Sequence, residues 1–210
     1  MRALAILSLI ACSGGSDSSP AGGATALAFC EGPTQHRYDP DVSTELEQWP
    51  DDHWSVDDPS SPTGQRIVLE GAPWAGALSD TLAPLAEQLE GGTGFATQGR
   101  IVMRFSAPLA EPQLDADASL VSDALQLFDL SELPPARVPY SATLEDGGTQ
   151  LRVQPLRPLR PGARHALIAT RSLSAGDGGC VAPSPRLEQL LRGSGEPRLV
   201  SLHISLMSYL

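Results

Sequence analysis

The clearest pattern in this chain is a two-residue alternation of side chains in its second half. Residues 101–105 place Ile, Met and Phe at every second position, as in a strand with one buried face. Residues 145–148, Glu-Asp-Gly-Gly, indicate a β-hairpin turn. Four or five short strands separated by turns predict a β-sandwich across residues 99–192. The other predicted strands cover residues 124–130, 138–144, 149–154 and 164–170.

The first half has a weaker periodicity. Residues 65–70 predict a short strand, and the leucines of residues 78–89 recur at helical spacing. We expect that helix to begin at Ser79 or Thr81, close before Pro84, and to end at the glycine pair of residues 91–92. A helical sequence over residues 185–191 follows the strands. The fold class is therefore mostly β, with an extended, loop-rich segment and one short helix over residues 29–98, before the sandwich.

The segment over residues 29–98 is also the acidic part of the chain. The 210 residues include 14 Arg, no Lys and 25 acidic residues, with a formal net charge of −11. Residues 30–100 hold 13 acidic residues and three Arg, whereas residues 101–192 are close to neutral. Phosphate contacts need a basic surface, so this composition argues against a nucleic-acid partner.

The N-terminus has the pattern of an export signal. Arg2 precedes an apolar run over residues 3–10, which is shorter than the roughly 20 residues that span a membrane. Residues 9–12, Leu-Ile-Ala-Cys, resemble the bacterial lipobox. This resemblance implies a lipoprotein signal peptide over residues 1–12, lipidation of Cys12 and attachment to a membrane. The alternative is an ordinary signal peptide with a chance cysteine.

The residues after Cys12 complete the predicted anchor. Residues 13–28 are expected to form a flexible tether between the lipid and the folded domain. Because Ser13 rather than Asp follows the cysteine, we expect attachment to the outer membrane, with the domain on its periplasmic or surface face.

The two remaining cysteines, Cys30 and Cys180, bracket almost the whole predicted domain. Disulfides persist outside the reducing cytoplasm, so we predict a bridge between them, with two free thiols as the alternative. In the chain-entropy model, closing so long a loop stabilises the fold by about 4–5 kcal/mol. The four histidines show no ligand spacing with these cysteines. They are therefore interpreted as surface or packing residues.

Three motifs follow one another in the second half. Residues 105–109 read Phe-Ser-Ala-Pro-Leu, and residues 155–162 read Pro-Leu-Arg-Pro-Leu-Arg-Pro-Gly between two predicted strands. A glycine-rich turn at residues 173–179 follows. This combination resembles the SbsA-type Ig-like modules of bacterial surface proteins and covers about residues 99–182. It implies that the sandwich is Ig-like.

The first half carries the motifs of a wider resemblance. Residues 38–40, 49–52 and 57–64 contain Tyr-Asp-Pro, Trp-Pro-Asp-Asp and Asp-Asp-Pro-Ser-Ser-Pro-Thr-Gly. They look like the N-terminal region of bacterial extracellular lipases, which also occurs in large envelope lipoproteins. In those proteins a catalytic or further repeat domain follows. Here only an irregular tail is predicted over residues 193–210, apolar from Leu199 to Leu210, so we expect a truncated or frame-shifted product.

No motif for catalysis or cofactor binding occurs in the sequence. The chain has no Gly-x-Ser-x-Gly nucleophile elbow, and without lysine it has no phosphate-binding loop. The aspartates of residues 39–58 are interpreted as solvated loop carboxylates, and Trp49 and Trp54 as packing residues. We therefore predict no enzyme activity, no cofactor and no metal.

Three functional hypotheses follow from these patterns. The first is a non-catalytic envelope lipoprotein whose sandwich is a spacer or interaction module, with an envelope protein or polysaccharide as partner. The second is the accessory N-terminal portion of a secreted lipase- or esterase-like hydrolase whose catalytic domain is missing from this chain. The third is a calcium- or carbohydrate-binding surface built from residues 39–58.

Overall fold

A computed structural model describes residues 29–78, 80, 83–110 and 116–192, with the backbone alone of residues 6–11, 116, 118 and 191. Most of the regular structure in this part of the chain is β-strand. In chain order the strands are β1 (Ile6–Ala11), β2 (His36–Arg37), β3 (Gln48–Trp49), β4 (Ser55–Asp57), β5 (Gln65–Ile67), β6 (Ile101–Phe105), β7 (Leu125–Asp129), β8 (Ala136–Arg137), β9 (Tyr140–Glu145), β10 (Gln150–Pro155) and β11 (His165–Thr170). The helices are α1 (Pro73–Gly76), α2 (Ala83–Leu89), α3 (Ala116–Val121) and α4 (Pro185–Leu191), and short 3-10 turns cover Asp52–Trp54 and Asp146–Gly148.

These strands form two larger sheets and a small one. The first sheet has the order β2-β6-β10-β9, and β3 also pairs with β6. The second sheet has the order β1-β11-β7-β8. β4 and β5 form a two-stranded sheet. Neighbouring strands are antiparallel except for β1 and β11, which are parallel.

The inward side chains of the two larger sheets meet in one hydrophobic core. Along β6 and β7, buried positions alternate with half-buried ones, so one face of each strand points inward. Ile101 and Leu151 of the first sheet and Leu125 and Leu167 of the second are each 0% exposed. Burying one such side chain stabilises the fold by about 1.5–3 kcal/mol. The sheets therefore pack as the two layers of a β-sandwich-like fold.

The loop-rich residues 29–98 contribute strands to the first sheet and side chains to the core. β2 and β3 pair with β6, and the Arg104 amide donates to the Glu47 carbonyl at 2.9 Å. Trp54, Ile67, Trp74 and Phe95 belong to the same hydrophobic cluster as the strands of the second half. The acidic segment is thus packed against the sandwich through its aromatic and aliphatic side chains.

The predicted strands of the second half are confirmed as β6, β7, β9, β10 and β11, with bounds that differ by at most two residues. β9 and β10 pair from Glu145 opposite Gln150 to Tyr140 opposite Pro155, as expected of a hairpin. Gly147 and Gly148 in the connecting turn have φ values of 67° and 93°, a conformation that glycine adopts with little strain.

The strand predicted over residues 65–70 is shorter in the structure. β5 ends at Ile67, although the Val68 amide still donates to the Trp54 carbonyl at 2.9 Å in the register of the ladder. Trp54 lies in the 3-10 turn, where its own amide donates to the Asp51 carbonyl at 3.2 Å, so the pairing stops there. The Ala72 amide then donates to the Leu69 carbonyl at 2.9 Å and turns the chain into α1. The partner strand β4 was not predicted, since three residues are too few to show a period.

The two predicted helices are present as α2 and α4. α2 begins at Ala83, next to Pro84, and is followed by Gly91 with a φ of 75°. The predicted caps Ser79 and Thr81 lie outside the described residues. Helical spacing does not mark a buried face here, since Leu85 is 52% exposed and Leu89 is 36% exposed.

α4 has the opposite environment. The Ser184 hydroxyl accepts a hydrogen bond from the Leu187 amide at 3.1 Å and caps the first turn. Leu187 and Leu190 are 2% and 3% exposed and belong to the core. α4 therefore closes the described part of the chain against the sandwich.

Candidate functional site

The structure brings Cys30 and Cys180 to disulfide distance, with their Cα atoms 6.1 Å apart. The Ala182 amide donates to the Thr34 carbonyl at 2.8 Å, so the two chain segments also pair through their backbones. Gly32 lies against the Cys180 carbonyl, where an added Cβ would come within 2.3 Å of the oxygen. The start of the described domain is therefore attached to its end by sulfur and by backbone contacts.

The predicted lipidation site Cys12, the tether over residues 13–28 and the tail over residues 193–210 lie outside the described residues.

A buried carboxylate, Asp51, organises the loop after β3. Asp51 is 2% exposed. Asp51 Oδ1 accepts from the His53 amide at 2.9 Å, and Asp51 Oδ2 accepts from Gln48 Nε2 at 3.0 Å. Burial, and then the Asp51 charge and hydrogen bond, raise the pKa of Tyr38 well above its usual range. The carboxylate thus interacts with the side chains of Gln48 and Tyr38 and with the backbone of His53.

Four aromatic rings pack edge to face beside this carboxylate. The Trp49 ring centroid lies 4.9 Å from that of Phe95 and 6.0 Å from that of Trp74, and Trp54 lies 5.8 Å from Trp74. Such pairs contribute about 0.5–1.5 kcal/mol each beyond the area they bury. Trp54 and Trp74 are each 6% exposed, which leaves little ring surface for stacking on a sugar. Trp49 and Trp54, which the sequence analysis interpreted as packing residues, both contact the ring of Trp74, which it did not name.

A small cavity lies between these residues. Tyr38, Gln48, Asp51, Trp54 and Trp74 contribute to its lining, and it has room for about one water molecule. Gln48 Oε1 and Trp74 Nε1 are buried and have no hydrogen-bond partner among the described residues. One is an acceptor and the other is a donor, which are the kinds of group that a buried water molecule satisfies. The cavity is too small for a substrate-sized ligand.

A second polar cluster lies where β7 and β11 meet, with Asp129 and His165 buried and Arg160 exposed. Arg160 Nε is 3.2 Å from Asp129 Oδ2, and His165 Nε2 is 3.9 Å from the same oxygen, beyond hydrogen-bond distance. The Ser131 amide donates to Asp129 Oδ1 at 2.9 Å, and the Ser131 hydroxyl donates to that oxygen as well.

The interactions of this cluster stabilise the charged form of the Asp129 carboxylate. Burial alone would raise the pKa of Asp129, but the Ser131 hydrogen bonds and the charges of His165 and Arg160 lower it below its usual range. Burial lowers the pKa of His165. Because the Ser131 hydroxyl donates to the carboxylate and not to His165, the three residues do not form a nucleophile–base pair.

Asp41 and Asp58, two of the aspartates of residues 39–58, contact different arginines. Asp41 Oδ2 is 2.9 Å from Arg186 Nη2, and Asp58 Oδ2 is 3.3 Å from Arg66 Nε. Within the ranges that the structure describes, no group of three or more His, Cys, Asp or Glu side chains is arranged to hold a metal ion. The calcium hypothesis therefore has no assembled ligand set in this part of the chain.

The outer strand of the second sheet, β1, belongs to the predicted signal peptide. It pairs in parallel with all of β11, from Ile6 opposite His165 to Ala11 opposite Thr170. On the β7 side, the Leu130 amide donates to the Arg164 carbonyl and the Thr170 amide donates to the Ala124 carbonyl, each at 2.9 Å. The backbone N–H and C=O groups of the even-numbered residues of β11 therefore point toward β7, and those of the odd-numbered residues point toward β1.

Comparison with known proteins adds no family. No protein-family model, curated protein or solved structure matches this chain. Among the described helices, none is long and apolar enough to cross a membrane.

The sequence analysis named the cysteines but did not identify the group formed by Asp51, its hydrogen-bond partners and the four aromatic rings beside it. The members of this group are spread from Tyr38 to Phe95, and neither Gln48 nor Trp74 belongs to a recognisable motif. The one signal was the density of aromatic and acidic residues in residues 49–54, Trp-Pro-Asp-Asp-His-Trp.

Proposed function

We propose that this chain is a non-catalytic lipoprotein of the cell envelope, anchored through Cys12 and carrying an Ig-like β-sandwich as a spacer or interaction module. The observation that carries the proposal is the lipobox-like sequence of residues 9–12 directly after a short apolar run. Each buried methylene contributes about 0.8 kcal/mol, so several acyl chains on one cysteine hold a soluble domain firmly. The partner is an envelope protein or a polysaccharide, at the outer membrane.

Two features of the fold support the proposal. Cys30 and Cys180 lie at disulfide distance, and such bridges persist in the oxidising compartments that an exported protein enters. Each of the two polar clusters is centred on a buried carboxylate, Asp51 or Asp129, whose hydrogen bonds hold neighbouring chain segments together. They serve the stability of the domain, which is what a spacer or interaction module requires.

Acylation of Cys12 is the first test. The full chain and the Cys12→Ala variant are expressed in a bacterium with an alkyne-labelled fatty acid, and the N-terminal peptide is analysed by mass spectrometry. We expect the wild-type chain to begin at an acylated Cys12 and to fractionate with the outer membrane. Cys12→Ala is expected to carry no label and to keep its first 11 residues.

A matched control separates the anchor from the other cysteines. The Cys30→Ala/Cys180→Ala variant is expected to be labelled like the wild type, because neither residue follows a lipobox. A wild-type chain that is cleaved but carries no fatty acid, or that is not cleaved at all, would refute the lipoprotein assignment.

The absence of catalysis is tested separately. Purified chain is incubated with p-nitrophenyl esters of short and long acyl chains, and release of nitrophenol is followed. We expect the rate in buffer alone. Turnover that survives purification and disappears on heating would instead favour a hydrolase function.

A further inference from the structure

The outer edge of β11 is the feature of this fold that processing would change. In the described structure β1 occupies that edge along its full length of six residues. If the chain is processed before Cys12, as the proposed function requires, residues 6–11 leave and the edge of β11 loses its neighbour. A role for that edge therefore rests on the proposed function.

The sequence of β11 is typical of a strand that has neighbours. Its central residues 166–169 are Ala-Leu-Ile-Ala, a continuous apolar run, without the charged or proline residues that usually protect an exposed edge. On the β1 side, His165, Leu167 and Ala169 present their backbone N–H and C=O groups. An extended peptide is the partner that satisfies such a row of donors and acceptors.

The strand that pairs with this edge of β11 in the structure, β1, indicates what kind of ligand the edge binds. β1 reads Ile-Leu-Ser-Leu-Ile-Ala, an apolar hexapeptide with one hydroxyl and no charge. It runs parallel to β11 in an unbroken register. We propose that β11 of the mature protein is a strand-acceptor site, and that it binds an extended, apolar and uncharged segment of about six residues from another envelope protein. The acquired strand runs parallel to β11 and takes the place of β1.

The test measures strand addition in solution. A fluorescent peptide of residues 6–22 with Cys12→Ser is titrated with the oxidised mature chain, residues 12–210 with Cys12→Ser, and anisotropy is recorded. The matched control is the uncleaved full chain with Cys12→Ala, in which β1 already occupies the edge. We expect the mature chain to bind, and the uncleaved chain to bind at least about tenfold more weakly.

Two variants show whether binding uses the backbone of β11. A peptide N-methylated at both Leu7 and Ser8 blocks one amide on each side of the strand, so one of the blocked amides must face β11. In the protein, Ala169→Pro removes an N–H that points toward β1 and leaves the ladder to β7 intact. Each change is expected to weaken binding about tenfold or more, while circular dichroism and the melting temperature report whether the fold is kept.

The outcomes are distinct. Binding that is lost with the N-methylated peptide supports the site even if Ala169→Pro unfolds the chain. A mature chain that does not bind, that binds the N-methylated peptide equally well, or that pairs with a second copy to form a dimer overturns it. If the cellular protein retains residues 1–11 by mass, the proposed function fails first. If it begins at Cys12 and the peptide still does not bind, only the acceptor site fails.

Discussion

The two halves of the described domain reach the same core by different means. Residues 99–192 fold into strands that are five or six residues long, except for β8, and two of their pairings, β7–β8 and β9–β10, join consecutive strands. Residues 29–98 contribute strands of two or three residues and are held by rings and polar groups that meet from distant positions. The second half is therefore stabilised by a repeating pattern, and the first by a small number of individual interactions. A single substitution that removes one of those interactions should accordingly destabilise the first half strongly.

Removing the disulfide between the two halves is expected to lower the free energy of unfolding more than any other change. Cys30 and Cys180 are 150 residues apart in sequence, and in the chain-entropy model a loop of that length stabilises the fold by about 5 kcal/mol. We expect Cys30→Ser/Cys180→Ser to lower the free energy of unfolding by about that amount, measured by urea titration. Wild type treated with reductant should match the variant. A loss below about 1 kcal/mol would show that the backbone contacts alone hold the first half in place.

The aromatic cluster gives the next largest effect. Trp74→Ala removes a ring that packs against both Trp49 and Trp54, and we expect it to cost about 3–5 kcal/mol in the free energy of unfolding. Trp74→Phe should cost less, because it keeps a ring and removes the indole N–H that has no partner among the described residues.

The matched residue in the second half is Leu151, which is 0% exposed in β10. Leu151→Ala is expected to cost about 2–5 kcal/mol. If Trp74→Ala cost much less than Leu151→Ala in the same urea titration, the first half would be a loosely attached segment and not part of the common core.

The same contrast explains how much the sequence could predict. A strand that alternates over five residues, such as β6, carries its own period and can be recognised locally. β2 and β3 have two residues each, so only their partner β6 defines them. The Asp51 site depends on Gln48 and Trp74 meeting in space, which no local pattern encodes. The cysteine pair was predictable because few cysteines leave few possible pairings.

A pH titration sharpens the comparison at the place where the halves meet. His36 in β2 is 1% exposed, between the rings of Tyr38 and Phe105 at 5.9 and 5.6 Å. Burial lowers its pKa from 6.5 to about 3. Below pH 6.5 the unfolded chain takes up a proton at His36 that the folded chain does not, so stability falls with pH down to about 3. The slope from this one group reaches about 1.4 kcal/mol per pH unit.

His36→Phe should remove that slope and keep the packing between Tyr38 and Phe105. We expect similar free energies of unfolding for the two proteins at pH 7, and a shallower loss for the variant between pH 6.5 and 3, measured by urea titration at each pH. His165, whose pKa burial also lowers, is present in both proteins and contributes equally. Parallel curves for wild type and variant would mean that His36 is not buried in solution.

The smallest effect is expected at α2 in the first half. Its leucines have the same helical spacing as those of α4, yet Leu85 is 52% exposed whereas Leu187 of α4 is 2% exposed. Leu85→Gln should therefore change the free energy of unfolding by no more than about 0.5 kcal/mol, and Leu187→Ala should cost about 2–5 kcal/mol. A large loss for Leu85→Gln would place α2 in the core. Helical spacing would then mark a buried face in the first half as reliably as strand alternation does in the second.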